Sequence, residues 1–255
     1  MQTHEAQEAI IRELGRQRVD DLMRGWWFWA HDHQRPPKGD WWAWLILGGR
    51  GAGKTKAGSE WVNEMVAQGA ARRVGLIGET MHDARAVMVE GRSGVMNPLD
   101  GESRPRFEAS NRRLVWPNGA LGELFSAEDP EQLRGPELDL IWADEFAKWR
   151  RPQAALDMAQ MTLRAGERPR MLITTTPRKG SALKRLIASP GTVTTRATTY
   201  RNSANLAAPF LAQMEALFGG AELGRQELMG EILEDDPRAL WRRAWIDAGR
   251  VREAP

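Results

Sequence analysis

Residues 44–55, WLILGGRGAGKT, decide how the chain is read. The apolar run Leu45–Leu47 reads as a buried strand, and the segment after Thr55 reads as the opening of a helix that closes near Gly69. Between them, Gly48, Gly53, Lys54 and Thr55 fill the four fixed places of the phosphate-loop pattern G-x-x-x-x-G-K-[ST]. Backbone N–H groups converge in such a loop, and the N-terminus of the following helix adds partial positive charge. Gly48, Gly49, Arg50, Gly51, Ala52, Gly53, Lys54 and Thr55 are therefore expected to bind a nucleotide. Lys54 would sit on its outer phosphates and Thr55 on Mg2+.

Outward from this stretch, 255 residues suffice for one large α/β domain or a domain with an appendage. The 36 basic and 34 acidic residues nearly cancel, although the pI is about 9.2. Nucleic-acid binding must then come from a local patch rather than from the overall field. The chain has no cysteine, which excludes disulfides and thiolate metal sites and suits a reducing cytoplasm. No run approaches the ~18 apolar residues of a membrane span, and the N-terminus lacks signal-peptide form, so no membrane partner is expected. Six of the 12 tryptophans crowd into residues 26–44, where core packing is the expected role. His31 and His33 lie in a polar loop ending at Pro36-Pro37 and are expected to be solvated.

Further along, residues 5–24 read as a helix. Strand 74–77 and helix 81–89, with Thr80 as its cap, begin the strand–helix alternation of a mostly parallel sheet. Strands 112–116 and 120–125 flank Pro117-Asn118-Gly119, a hairpin signal. Strand 138–143 delivers Asp144 and Glu145 at its end, and helix 153–163 follows. Strand 171–173 runs into Thr174, Thr175 and Thr176. Beyond it come a helix near 181–188, a strand near 193–197 and helices near 209–218 and 222–229.

Ligands of open α/β sheets bind at the carboxyl ends of the strands. Asp144 is thus expected to hold Mg2+ and Glu145 to polarise the attacking water. Phosphoryl transfer also needs positive charge where negative charge develops, for which Arg50 and Arg134 compete. The threonine hydroxyls would report the presence of the γ-phosphate; the alternative is simple strand propensity.

Five segments together resemble the ATPase part of the large terminase subunit, the DNA-packaging motor of tailed phages and gene-transfer particles. They are DWWAWLILGGRGAGKTKAGSEWV, GETMHDARAVMVEGRSGVM, LRGPELDLIWADE, MLITTTPR and YRNSANLAAPFL, agreeing in order over roughly residues 26–250. The resemblance implies an ASCE-type P-loop ATPase with a central sheet flanked by helices, using ATP and Mg2+. It implies Walker A at 48–55 with Arg50 inside it, Asp144 as the Walker B metal ligand and Glu145 as the catalytic glutamate. Thr174–Thr176 would be the coupling motif, Gln34 the adenine reader, and Arg134 a finger reaching the neighbouring subunit. The expected layout is a core over 1–178, a lid subdomain over 179–236 and a linker over 237–255. The family continues into an RNase H-like nuclease domain; this chain stops where that would begin, so no nuclease activity is expected. Implied partners are double-stranded DNA, the portal protein and the small terminase subunit, with a ring on the capsid, a monomer alone, and a cytoplasmic location. The competing reading is a helicase-like or remodelling ATPase acting on nucleic acid outside a capsid.

Overall fold

The computed structural model describes residues 22–218, 221–232, 245, 249 and 250. Most of the helix expected over 5–24, and the linker segment over 237–255 but for three residues, lie outside them. Eight strands form one sheet in the order β3-β4-β5-β2-β6-β7-β1-β8. Strands β1 (Ala43–Gly48), β2 (Arg73–Gly78), β5 (Leu121–Ser126), β6 (Leu140–Asp144), β7 (Arg170–Thr175) and β8 (Thr192–Ala197) are mutually parallel. The hairpin at Gly119, whose φ is +84°, returns β4 (Arg113–Val115) antiparallel to β5. A short strand that the sequence did not suggest, β3 (Arg106–Glu108), pairs with β4 at the sheet edge. Its signal is weak because three residues set no periodicity; the Arg113–Glu108 ion pair across the two strands helps hold it.

Both faces of the central strands are covered, so they read as continuous apolar runs while their side chains alternate in space. Trp44, Ile46, Leu76, Leu140, Trp142 and Leu172 point into one core layer. Leu45, Leu47, Ile77, Ile141, Met171 and Ile173 point into the other. Helix α2 (Lys54–Ala67) covers the first face with Trp61 and Val62. Helices α4 (Pro152–Thr162) and α5 (Ser181–Ala188) cover the second with Leu156, Leu183 and Leu186. The tryptophans largely pack as expected: Trp41, Trp44 and Trp61 form a buried triad with centroids 6.2–6.4 Å apart, whereas Trp29, in the short helix α1 (Trp26–Trp29), is 40% exposed. Helix α3 (Met81–Asp83) starts where expected, with Thr80 Oγ1 accepting from Asp83 N, and then widens into a π-helical stretch over Ala84–Val89.

Gly58 on α2 lies against Trp142 of β6, and a Cβ there would come within 2.3 Å of the indole. The indole is held by its Nε1–H bond to Thr174 Oγ1, so it has little room to yield. Gly58→Ala is expected to destabilise the fold by about 1–3 kcal/mol through overpacking, read as a lower thermal midpoint.

Two placements could not be read locally. β7 is inserted between β1 and β6, so one strand separates the glycine-rich loop from Asp144. Helix α5 packs on the second core layer, and β8 pairs with β1 over Ala43–Gly48. Strand partners depend on long-range pairing, which strand propensity does not encode. After β8 come a 3-10 segment (Thr199–Asn205), α6 (Ala208–Phe218) and α7 (Glu222–Glu227).

Candidate active site

Strand register builds the site. Asp144 pairs with Thr174, and Thr174 with Ile46, so Glu145, Thr176 and Gly48 emerge together at the carboxyl edge of three neighbouring strands. The loop turns from Gly48 to the start of α2 through Gly51 and Gly53, with φ of +77° and +79°. The second of these also faces Gln34, whose Nε2 would lie 2.3 Å from any Cβ at Gly53. Both the backbone angle and the close approach require glycine there.

Lys54 is buried and donates from Nζ to Gly48 O, Gly49 O and Thr176 Oγ1, each at 3.0 Å. It lies 3.9 Å from Glu145 Oε1. Burial lowers its pKa, while Glu145 and Asp144 oppose the shift. Thr55 stands half-buried in the first turn of α2. Asp144 is buried at the end of β6 and accepts a short hydrogen bond from Thr174 Oγ1. Burial, and next the Glu145 charge, push its carboxyl up to about 6. A carboxylate held so far from its preferred solvation gains from a cation, and Mg2+ needs only one or two protein oxygens because it keeps waters and binds phosphates. Among the described residues no group of three or more His, Cys, Asp and Glu could hold a metal. The chemistry of the Asp144 carboxylate, buried at a strand end, suits such an ion.

Glu145 adopts a left-handed backbone, φ 54° and ψ 40°, at the start of the 3-10 turn Phe146–Lys148. A non-glycine residue there stores strain of ~1–3 kcal/mol unless its surroundings hold it, and such residues cluster at functional sites. Here Lys148 N donates to Glu145 O, and Phe146 is wholly buried. The carboxylate accepts from Thr176 N at 3.4 Å.

The three threonines touch different parts of this cluster. Thr174 bonds Asp144, Thr175 Oγ1 accepts from Ala147 N behind Glu145, and Thr176 Oγ1 accepts from Lys54. Thr174 and Thr175 are also strand residues of β7, so strand propensity and polar contact coincide.

The carbonyls of the glycine-rich loop are each tied by a side chain. Gly48 and Gly49 are held by Lys54, Arg50 by Thr199 Oγ1 at 2.6 Å and Gly51 by Asn202 Nδ2 at 2.7 Å. Ala52 is held by His33 Nε2 at 2.9 Å and Gly53 by Gln34 Nε2 at 3.1 Å. Carbonyls fixed in this way fix the peptide planes, and with them the directions of the N–H groups.

His33 corrects the expectation of a solvated histidine. The 3-10 turn Asp32–Gln34 folds back onto the loop and buries it, and burial lowers its pKa. A carbonyl only accepts, so Nε2 carries the proton and the ring is neutral, its Nδ1 buried without a partner. Thr199 and Asn202 were missed as well. They lie within the quoted segment YRNSANLAAPFL or just ahead of it, but only the fold brings them ~150 positions back to the loop.

Gln34 is buried beside Gly53, and its Oε1 accepts from His31 N. Arg50 is pinned by its backbone N to Glu227 O, and its Nε lies 3.7 Å from Glu227 Oε2, so its guanidinium faces α7. Arg134 is exposed and paired with Glu131 at 3.1 Å. Its neighbour Leu133 is anchored through its carbonyl to Thr162 at the end of α4, where Thr162 O also accepts from Leu138 N ahead of β6. That is the amino edge of the parallel strands, opposite Lys54. The structure therefore brings Lys54, Thr55, Asp144, Glu145, Thr174–Thr176 and Gln34 together and leaves Arg134 outside.

Three solved structures share the fold. The Thermus phage P74-26 large terminase ATPase domain aligns with a TM-score of 0.60 at 18% identity, covering 85% of this chain and 98% of that one. The large terminase of a thermophilic bacteriophage, solved in complex with ADP, aligns at 0.62 and 17%, covering 83% and 52%. The HK97 bacteriophage large terminase aligns at 0.58 and 17%, covering 86% and 51%. The chain thus spans about half the length of the last two. No curated protein matches it. The family model for the terminase large subunit, T4likevirus-type, N-terminal, matches residues 45–248. With that match spanning both the glycine-rich loop and the carboxylate pair, the chain belongs to the terminase large subunit family, as its N-terminal ATPase part.

Proposed function

We propose that this chain hydrolyses ATP with Mg2+ to drive double-stranded DNA into a capsid, with Lys54, Asp144 and Glu145 at the centre of the reaction. The observation that carries the reading is the convergence of Lys54 and Glu145 on Thr176, beside a loop whose carbonyls are all held by side chains. The ADP-bound relative from the thermophilic bacteriophage supports a nucleotide as the ligand. The N–H groups of Gly51, Gly53, Lys54 and Thr55 take the phosphates, and Lys54 moves from the Gly48 and Gly49 carbonyls to the outer phosphate. Thr55 and Asp144 hold Mg2+, which neutralises charge on the phosphate oxygens. Glu145 accepts a proton from the attacking water. Thr176, in contact with both Lys54 and Glu145, senses the γ-phosphate, while Gln34 contacts the base.

Arg134, at the opposite sheet edge from Lys54, serves a neighbouring subunit in a ring, whereas Arg50 is placed to act within its own. The lid subdomain over 179–236 acts on the loop through Thr199, Asn202 and Glu227. Among the described residues no helix is long and apolar enough to cross a membrane. The proposed setting is the assembling capsid in the host cytoplasm, with the portal protein and small terminase subunit as partners.

The test is phosphate release by purified protein with ATP, with and without Mg2+. Lys54→Ala is expected to remove detectable turnover and to weaken nucleotide binding. Turnover that persists in Lys54→Ala, or without a divalent ion, overturns the assignment.

A further inference from the structure

The two loops that carry the chemistry out of the sheet continue into two segments rich in basic residues. Residues 146–156 follow Glu145, and residues 176–188 begin at Thr176. Together they contain seven basic residues and no acidic one, in a chain that is otherwise nearly balanced. They meet around a cavity of about 360 Å³ lined by Arg151, Arg178 and Arg185, with Phe146, Trp149 and Leu183 among the apolar wall residues. All three arginines are exposed, and Arg185 Nε donates to the neutral Gln153 Oε1. Lys148, on the first of these segments, lies 3.8 Å from Glu145 Oε2.

Clustered guanidinium groups attract a polyanion and can fork onto its phosphates. We propose that this surface is the track for the phosphate backbone of duplex DNA, which rests on the packaging function proposed above. The position suits the task. Ala147 N donates to Thr175 Oγ1, and Trp149 Nε1 donates to Asp144 O, so the turn beneath the arginines is bonded directly to the hydrolytic residues. A load on the track is then felt at Glu145 without passing through the lid.

The experiment measures binding of a fluorescent ~30-bp duplex to the full chain over a salt series, with the triple variant Arg151→Ala/Arg178→Ala/Arg185→Ala beside the unmodified protein. Three lost phosphate contacts should reduce the slope of log affinity against log salt by about 3 and weaken binding ~10-fold or more at 0.1 M salt. DNA-independent ATP turnover should stay within ~2-fold. The matching triple lysine variant should restore most of the slope, and equal thermal midpoints exclude misfolding as the cause. Unchanged slope and affinity in the alanine variant overturn the track while leaving the packaging function standing. Unchanged duplex binding with lost self-association assigns the arginines to contact between subunits instead. No duplex binding by the unmodified chain at 50 mM salt overturns both the track and the packaging function.

Discussion

Glu145→Gln is expected to lower ATP turnover ~10³-fold while nucleotide affinity changes little. The effect is large because a glutamine keeps the shape of the side chain but cannot take a proton, and a placed general base contributes ~10²–10⁴ in rate. Retained affinity follows from the geometry, since Lys54 has Gly48 O, Gly49 O and Thr176 Oγ1 as partners besides Glu145. The left-handed backbone at Glu145 should survive as well, because it is held by Lys148 N and by the burial of Phe146 rather than by the carboxylate. Single-turnover phosphate release together with titration of a fluorescent ATP analogue separates the two quantities. Full turnover in the variant would remove Glu145 as the base and pass that role to Asp144.

Asp144 provides the second large effect, through pH. Its carboxyl is raised to about 6 in the folded chain by burial and by Glu145, from an ordinary value near 3.8. The sign follows from proton binding. Between these values the folded state binds more protons than the unfolded one, so this group's contribution to stability falls as pH rises from about 4 to about 6. Metal binding needs the ionised form, so kcat/KM for Mg-ATP should fall as pH drops below about 6, approaching ~10-fold per pH unit. Asp144→Asn is expected to abolish Mg-dependent turnover. It should also make the nucleotide-free protein at least as stable as the parent at pH 8, since it removes an uncomfortable buried charge. Thermal midpoints and pH–rate profiles test both signs; a profile flat down to pH 5 would place the metal on other oxygens.

Much of this site is legible along the chain because its parts are local. A phosphate loop is a strand, a glycine-rich turn and a helix start in sequence, and Gly51 and Gly53 adopt the positive φ values that such a turn demands. Asp144 and Glu145 stand at the end of an apolar run, and strand ends are where a parallel sheet exposes polar groups. Thr80 caps its helix as the short-range pattern requires.

The nucleotide cradle, the carboxylate pair and the alternating strand–helix order are thus written in the order of the residues alone. Folding in three dimensions was needed to place β7 between the cradle and the carboxylates, and so to put Thr176 within reach of both Lys54 and Glu145. It was needed as well to bring His33, Gln34, Thr199 and Asn202 onto successive carbonyls of the loop, and to send Arg134 to the far edge of the sheet. The difference is one of range. Dihedral preferences and side-chain periodicity act over a few residues and leave their mark on the sequence, whereas strand partners and the donors that satisfy buried carbonyls are chosen by packing between segments well apart in the chain, 19 positions for His33 and Gln34 and 151 for Asn202.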